Sequence, residues 1–325
     1  MNIVISKDKT TILKGVAILF MILHHVFIKE FYIEQPEFLS SSVAVRMQIA
    51  MKMCVGIYTF IIGYGFWFCK SYSTGYVFGH IGKLLRQYWI VFVFLILPIS
   101  IWGGYFIDYK TLLLNLFGLE HQYCLGNWYI YFYVYALLLL PLLRRWLEPD
   151  GFWRPIVAVA LFAIVRYLCA ENRYVDNCFA YSQMLVVGLY CAKTQILSHW
   201  AGNIKSRGLW LALFCFAVVM RCVSGAMGFT TDVIVVPVVV IAVCGFSQGH
   251  EKSLLVRVLT TLGKHSTYMW FIHCIFFSTA TKEVIQHLPM WTNFLPVEFL
   301  MVSLFSYLLA SFMGRIETFI HEKTK

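Results

Sequence analysis

Long apolar stretches separated by short polar ones organise this chain. A helix needs about 20 mostly apolar residues to cross the hydrocarbon core of a bilayer. Ten stretches approach or meet that length: 12–28, 48–69, 85–103, 126–143, 155–170, 179–197, 209–227, 231–247, 260–280 and 294–314. Lipid offers no partners to unpaired backbone groups, which excludes an open sheet. A transmembrane barrel would alternate polar and apolar residues, and the run Ala136–Leu143 (ALLLLPLL) does not. The pattern therefore predicts an all-α fold, a polytopic membrane helical bundle of about ten transmembrane helices. It forms a single membrane-embedded domain over 1–325, with no internal repeat and no attached soluble catalytic module. The first stretch reads as a permanent helix. Lys7, Lys9 and Lys14 precede it, but no small-residue cleavage site follows, and His24 and His25 interrupt the apolar run. Between the third and fourth stretches, Tyr109–Leu119 reads as a short amphipathic helix lying on the outer surface.

Composition removes the soluble alternatives. Hydrophobic residues make up 60% and charged residues 13%, against roughly 25% charged in ordinary globular domains. A soluble enzyme, a disordered chain and a secreted disulfide scaffold are all excluded on that ground. The net charge of +10 does not point to nucleic acid, because the basic residues stand singly between apolar runs. Their distribution instead orients the helices. With ten helices and a cytoplasmic N-terminus, the six inside segments hold three Lys or Arg each, 18 of the 26 in the chain. The other eight are Lys29, Arg46, Lys52, Lys110, Arg166, Arg173, Arg221 and Lys282. That asymmetry predicts cytoplasmic termini. The cysteines form no C-x-x-C pair, so no metal site is expected. Cys124 and Cys178 fall in predicted outer loops, where a disulfide is permitted but not expected.

Candidate chemistry lies on three helices. In the first, Lys14 and His25 are eleven residues apart, which returns them to within about 20° of one stripe, roughly 16 Å apart along the axis. His24 points elsewhere. Intramembrane ionisable groups are costly and mark function, and histidine suits proton transfer near neutral pH. The competing reading is a snorkelling lysine and a packing histidine. Lys83 and Arg86, at i and i+3, share one side of the third helix at the cytoplasmic face. They fit a phosphate clamp, or plain positive-inside anchoring. In the ninth helix Ser266 and His273 share a face, and His273 lies at a depth similar to His25 when counted from the same side. Arg166, Arg221, Asp232 and Glu298 fall in outer halves of helices, either lining an acceptor site or pairing structurally.

Taken in order, these motifs resemble the acyltransferase-3 family of bacterial integral membrane O-acyltransferases, over nearly the whole chain. The resemblance rests on Lys14 with His25, on Lys83 with Arg86, on Trp128-Tyr129-Ile130 leading to Pro141, and on Gly263, Ser266 and His273. Two positions have Lys where the family more often has Arg. Gly126 stands where many members place a histidine, and Trp270 where Tyr is common. The resemblance implies transfer of an acyl group, acetyl first of all, from cytoplasmic acetyl-CoA or another acyl-CoA to a sugar hydroxyl. The acceptor would be a cell-envelope glycan or a lipid-linked sugar, and the enzyme a multi-pass protein of the bacterial inner membrane, in contact with membrane lipid. It implies His25 as general base supported by Lys14, Lys83 and Arg86 on the CoA phosphates, and Trp128, Ser266 and His273 shaping the acceptor site. A transporter or flippase for a lipid-linked sugar is the rival reading, weakened by the absence of a visible repeat.

Overall fold

Each of the ten apolar stretches contains a helix, and no strand occurs among the described residues. The computed structural model describes residues 5–28, 39, 41–70, 72–169, 173–201, 204, 206–225, 228–288 and 294–323. Lys29, Lys205 and Lys325, counted above for orientation, lie outside them, as does the side chain of Arg173. In chain order the helices are α1 Lys7–Val26, α2 Ser42–Met51, α3 Met53–Trp67, α4 Thr74–Val91, α5 Leu97–Trp102, α6 Tyr109–Leu116, α7 Trp128–Leu147, α8 Trp153–Leu168, α9 Arg173–Thr194, α10 Ile196–Ala201, α11 Arg207–Ser224, α12 Gly228–Ser247, α13 Leu254–His273, α14 Lys282–Ile285 and α15 Leu295–Lys323.

Local chemistry explains several boundaries. Ser6 opens α1, its hydroxyl accepting from the Lys9 amide, with Asp8 in the first turn where the helix dipole favours an anion. The predicted second span is not one helix: it breaks at Lys52 between α2 and α3. A π-helical turn, Phe92–Ile96, joins α4 to α5. Pro98 follows it at the start of α5. A proline has no N–H for the preceding turn and its ring crowds the carbonyl four residues back, and a π-turn absorbs both defects.

Six helical segments are long and apolar enough to cross a membrane: Lys7–Val26, Ser42–Trp67, Thr74–Trp102, Leu125–Leu147, Arg207–Ser224 and Leu295–Lys323, with Thr231–Ser247 a shorter apolar helix. Of the other predicted spans, α8 has only 16 residues. Polar residues dilute α9 (Asp176, Asn177, Gln183) and α13 (Arg257, Lys264, His265).

The helices sort into two compact units, Met1–Phe20, Ile49–Ser73 and Tyr135–Gly263 in one, and Met21–Gln48, Thr74–Val134 and Lys264–Lys325 in the other. The division falls inside α1, α2, α7 and α13. In the first unit α9 packs against α3 and α8, and α12 against α3 and α11. Three of its cations bond carboxylates or carbonyls. Arg221 pairs with Asp232 at 2.6 Å and Arg166 with Asp176 at 2.7 Å. Lys193 donates to the carbonyls of Leu147, Glu148 and Pro149, which α7 leaves open at its C-terminus. Each of the ten cysteines is a free thiol, Cys124 and Cys178 included.

In the second unit the segment after α5 forms a short helix, α6, within the expected stretch. Asp108 caps α6 through the Thr111 amide at 2.8 Å, and Tyr109 and Leu113 stay exposed. The end of the helix is also fastened to α4. The Tyr88 hydroxyl donates to the Asn115 carbonyl and the Trp89 indole to the Leu116 carbonyl, both at 2.7 Å. Tyr88 is fourteen residues short of Trp102, roughly 20 Å along the helix, so α6 ends well down the side of α4. The orphan carbonyls at its C-terminus gain aromatic donors there, and the fully buried Asn127 ties Tyr88 and the Glu120 carbonyl into the same network.

Candidate active site

The site begins with how α1 and α13 meet. A Cβ on Gly15 would run into the Leu259 carbonyl, and a Cβ on Gly263 into the Thr11 carbonyl. Only glycine on both sides allows this backbone-to-backbone contact, the device membrane helices use for close approach. Ten residues after each glycine comes a histidine, His25 and His273.

Within the second unit those two rings lie edge to face with centroids 4.9 Å apart. His25 Nδ1–H donates to the Met21 carbonyl at 2.9 Å, and His273 Nδ1–H to the Met269 carbonyl at 3.1 Å. A carbonyl only accepts, so in each neutral ring the proton sits on Nδ1 and the basic lone pair on Nε2. His273 is buried, and its Nε2 has no hydrogen-bond partner among the described residues. Phe277 stacks on His25 at 5.6 Å and meets His273 at 6.4 Å. His24 is held differently: its Nδ1–H donates to the Gln48 carbonyl at 2.7 Å. The neighbouring histidines thus have separate anchors.

Trp128 opens α7 and reaches the histidines through other rings. It meets Tyr129 edge to face at 5.8 Å, Tyr129 lies over Trp270 at 4.5 Å, and Trp270 meets His273 at 6.4 Å. Ser266 is buried two turns before His273. Gly126 explains a departure from the family pattern. A Cβ there would sit 3.0 Å from both the Trp270 Nε1 and the Cys274 Sγ. The ring at 270 thus occupies the space a side chain at 126 would need.

The cations lie on α1 and α4. Lys14 is half-buried in α1, and its carbonyl accepts from the Tyr58 hydroxyl at 3.3 Å. Lys83 is exposed on α4. Arg86 donates its Nε–H to Glu317 Oε1 of α15 at 3.0 Å. The other carboxylate oxygen accepts from the Tyr268 hydroxyl at 2.7 Å and the Gln87 amide at 3.3 Å. Tyr268 lies five residues before His273 on α13, roughly 7.5 Å along the axis. A groove of about 290 Å³ opens beside this cluster, lined by Arg86, Trp89, Val93, Phe94, Glu317 and Ile320 among others. Sequence reasoning missed Glu317. Its signal was register: the buried residues Glu298, Val302, Ser306, Ala310 and Met313 mark the inward stripe of α15, and Glu317 is the next position along it.

A family model described as an acyltransferase domain, acyltransferase-3, matches residues 10–314. The chain belongs to this acyltransferase family. No curated protein and no solved structure matches it. The acyltransferase assignment covers Lys14, His25, Lys83, Arg86, Trp128, Ser266 and His273, whereas Glu317 falls just beyond the matched residues. The protein is thus an enzyme that moves acyl groups, built on membrane-type helices.

Proposed function

We propose that this acyltransferase moves an acyl group, acetyl first of all, from cytoplasmic acyl-CoA to a sugar hydroxyl of a cell-envelope glycan or lipid-linked sugar. It does so as a ten-helix protein of a bacterial inner membrane with both termini cytoplasmic. The observation that supports this most is the tautomer of His25, whose anchored Nδ1 leaves the lone pair on Nε2 next to a second histidine in the same state.

Acyl-CoA supplies an activated thioester and a polyanionic head. The residues present suit that group. Arg86 is half-exposed, Lys83 is exposed one turn away, and the adjoining groove is largely apolar. In this reading Arg86 and Lys83 bind phosphate, with Lys14 adding positive charge on the stripe that leads to His25. His25 Nε2 takes the proton of the acceptor hydroxyl as that oxygen bonds the acyl carbon. His25 then returns the proton to the sulfur released when the carbon–sulfur bond breaks, so the base is regenerated and free CoA leaves. Trp128, Ser266 and His273 shape the acceptor side.

The test is purified protein in nanodiscs with acetyl-CoA and envelope glycan, following CoA release and glycan mass together. Stoichiometric release of CoA and gain of 42-dalton ester groups, roughly one for one, is the expected result. Movement of a lipid-linked sugar across the bilayer with no CoA release would favour the flippase instead.

A further inference from the structure

Among the described residues Arg86 makes one hydrogen bond, through Nε, to Glu317. Its two terminal nitrogens make none with the described residues, and its side chain is 48% exposed against 18% for Glu317. The guanidinium is therefore held by one edge and offers the other. Glu317 is itself fixed by two further donors, the Tyr268 hydroxyl and the Gln87 amide. Three side chains, Gln87 of α4, Tyr268 of α13 and Glu317 of α15, thus fix the direction in which one arginine points.

We infer that Glu317 is a positioning residue for the acyl donor: it grips Arg86 by Nε so that the terminal nitrogen pair faces the α4/α15 groove and takes a donor phosphate bidentately. This rests on the reading of Arg86 as a phosphate contact. The chemistry favours arginine here. A guanidinium can bond a carboxylate with Nε and a phosphate with its terminal pair at the same time, each in plane. A lysine offers one nitrogen at the end of a flexible stem and cannot keep that geometry. Lys83, one turn earlier and exposed, has no such grip among the described residues and adds charge alone. Glu317 carries a negative charge beside a phosphate site, so in purely electrostatic terms its removal would tighten binding. Positioning predicts the opposite sign.

The experiment measures binding of coenzyme A to the full-length protein in nanodiscs, together with KM and kcat for acetyl-CoA. Arg86→Ala, Arg86→Lys, Glu317→Gln and the Arg86→Lys/Glu317→Gln double variant are compared. Charge-assisted hydrogen bonds of this kind correspond to about 10-fold or more in affinity. Arg86→Lys should weaken CoA binding about 10-fold although the charge remains, and Glu317→Gln roughly 5-fold, with kcat at saturating donor retained in both. The double variant should lose little beyond Arg86→Lys alone, because the two residues act through one contact. Tighter binding or an unchanged Kd in Glu317→Gln, or a wild-type Kd in Arg86→Lys, would overturn the positioning role. An unchanged Kd in Arg86→Ala would instead remove the phosphate reading on which it rests. Should Glu317→Gln fail to assemble, Arg86→Lys decides on its own, since it keeps both the charge and Glu317.

Discussion

Arg221 in the first unit and Arg86 in the second both donate Nε–H to a carboxylate, at 2.6 and 3.0 Å. Around Arg221 the protein closes completely. The side chains of Arg221 and Asp232 are 1% and 2% exposed, and Arg221 Nη1 goes on to the Gly225 carbonyl at 3.3 Å. Around Arg86 the far edge stays open to a groove. The same contrast runs through both units. In the first, Arg166, Lys193 and Arg221 bond carboxylates or helix-end carbonyls. In the second, His25 and His273 each anchor Nδ1 on their own helix, and the buried Nε2 of His273 has no hydrogen-bond partner among the described residues. Arg221 and Arg86 thus use the same donor in two ways, one sealed into the architecture and one left with an exposed edge. What separates them is whether a reactive edge is left uncovered, not the residue type.

The sharpest way to break this comparison is at the histidines. A general base supplies about 10²–10⁴-fold in rate. His25→Ala should lose kcat on that scale with thermal stability in detergent near wild type. His24→Ala should keep most of its activity, because its ring is anchored on the Gln48 carbonyl of α2 and lies off the stripe of Lys14 and His25. Acetyl-CoA turnover at matched membrane expression measures both. An inactive His24→Ala beside an active His25→Ala would reverse the assignment.

The second effect belongs to the first unit and appears in stability, not rate. Removing one partner of a buried ion pair costs about 3–5 kcal/mol, since the other charge is left uncompensated. Asp232→Ala should therefore unfold at markedly lower temperature or fail to accumulate, with near-normal turnover per folded molecule. Glu317→Gln breaks a half-exposed pair, which is worth about 0–1 kcal/mol, and should shift melting little while raising KM. If the two variants were equally destabilised, the division between sealed and open pairs would carry no meaning.

How much of this could be read from the sequence follows the range of the interactions. The helices are written locally, as apolar runs with a capping Ser6 and Asp108, and so each predicted stretch contains one. The stripe of Lys14 and His25 is also local, a matter of helical period. The break at Lys52 had a visible cause, a charge inside an apolar run, but no local rule says whether such a charge bends, breaks or snorkels. The clasp on α6 joins residues 27 apart, Tyr88 to Asn115 and Trp89 to Leu116, and nothing near either partner announces it. Glu317 lies 231 residues from Arg86. From sequence Lys83 and Arg86 were indistinguishable cations. Only the Glu317 partner, which Arg86 has and which Lys83 lacks among the described residues, tells them apart.

The smallest effect tests the packing behind the family departures at 126 and 270. A Cβ on Gly126 would stand 3.0 Å from Trp270 Nε1 and from Cys274 Sγ, tighter than ordinary contact but against the ends of side chains, not backbone. Overpacking of a close-packed site costs about 1–3 kcal/mol, and flexible neighbours place Gly126→Ala at the lower end. Trp270→Tyr alone should also cost stability, because it opens a space beside Gly126 and weakens the contact with Tyr129 at 4.5 Å. The two changes together should cost less than their sum, the smaller ring making room for the new methyl. Thermal unfolding of both single variants and the double variant gives the coupling directly. Because Trp270 lies against His273 at 6.4 Å, the same three proteins report whether this packing reaches the reaction. Coupling in stability with unchanged kcat would confine it to the fold, and coupling in both would show that the ring at 270 sets how His273 is presented. Strict additivity would mean that Gly126 and Trp270 depart from the family pattern independently.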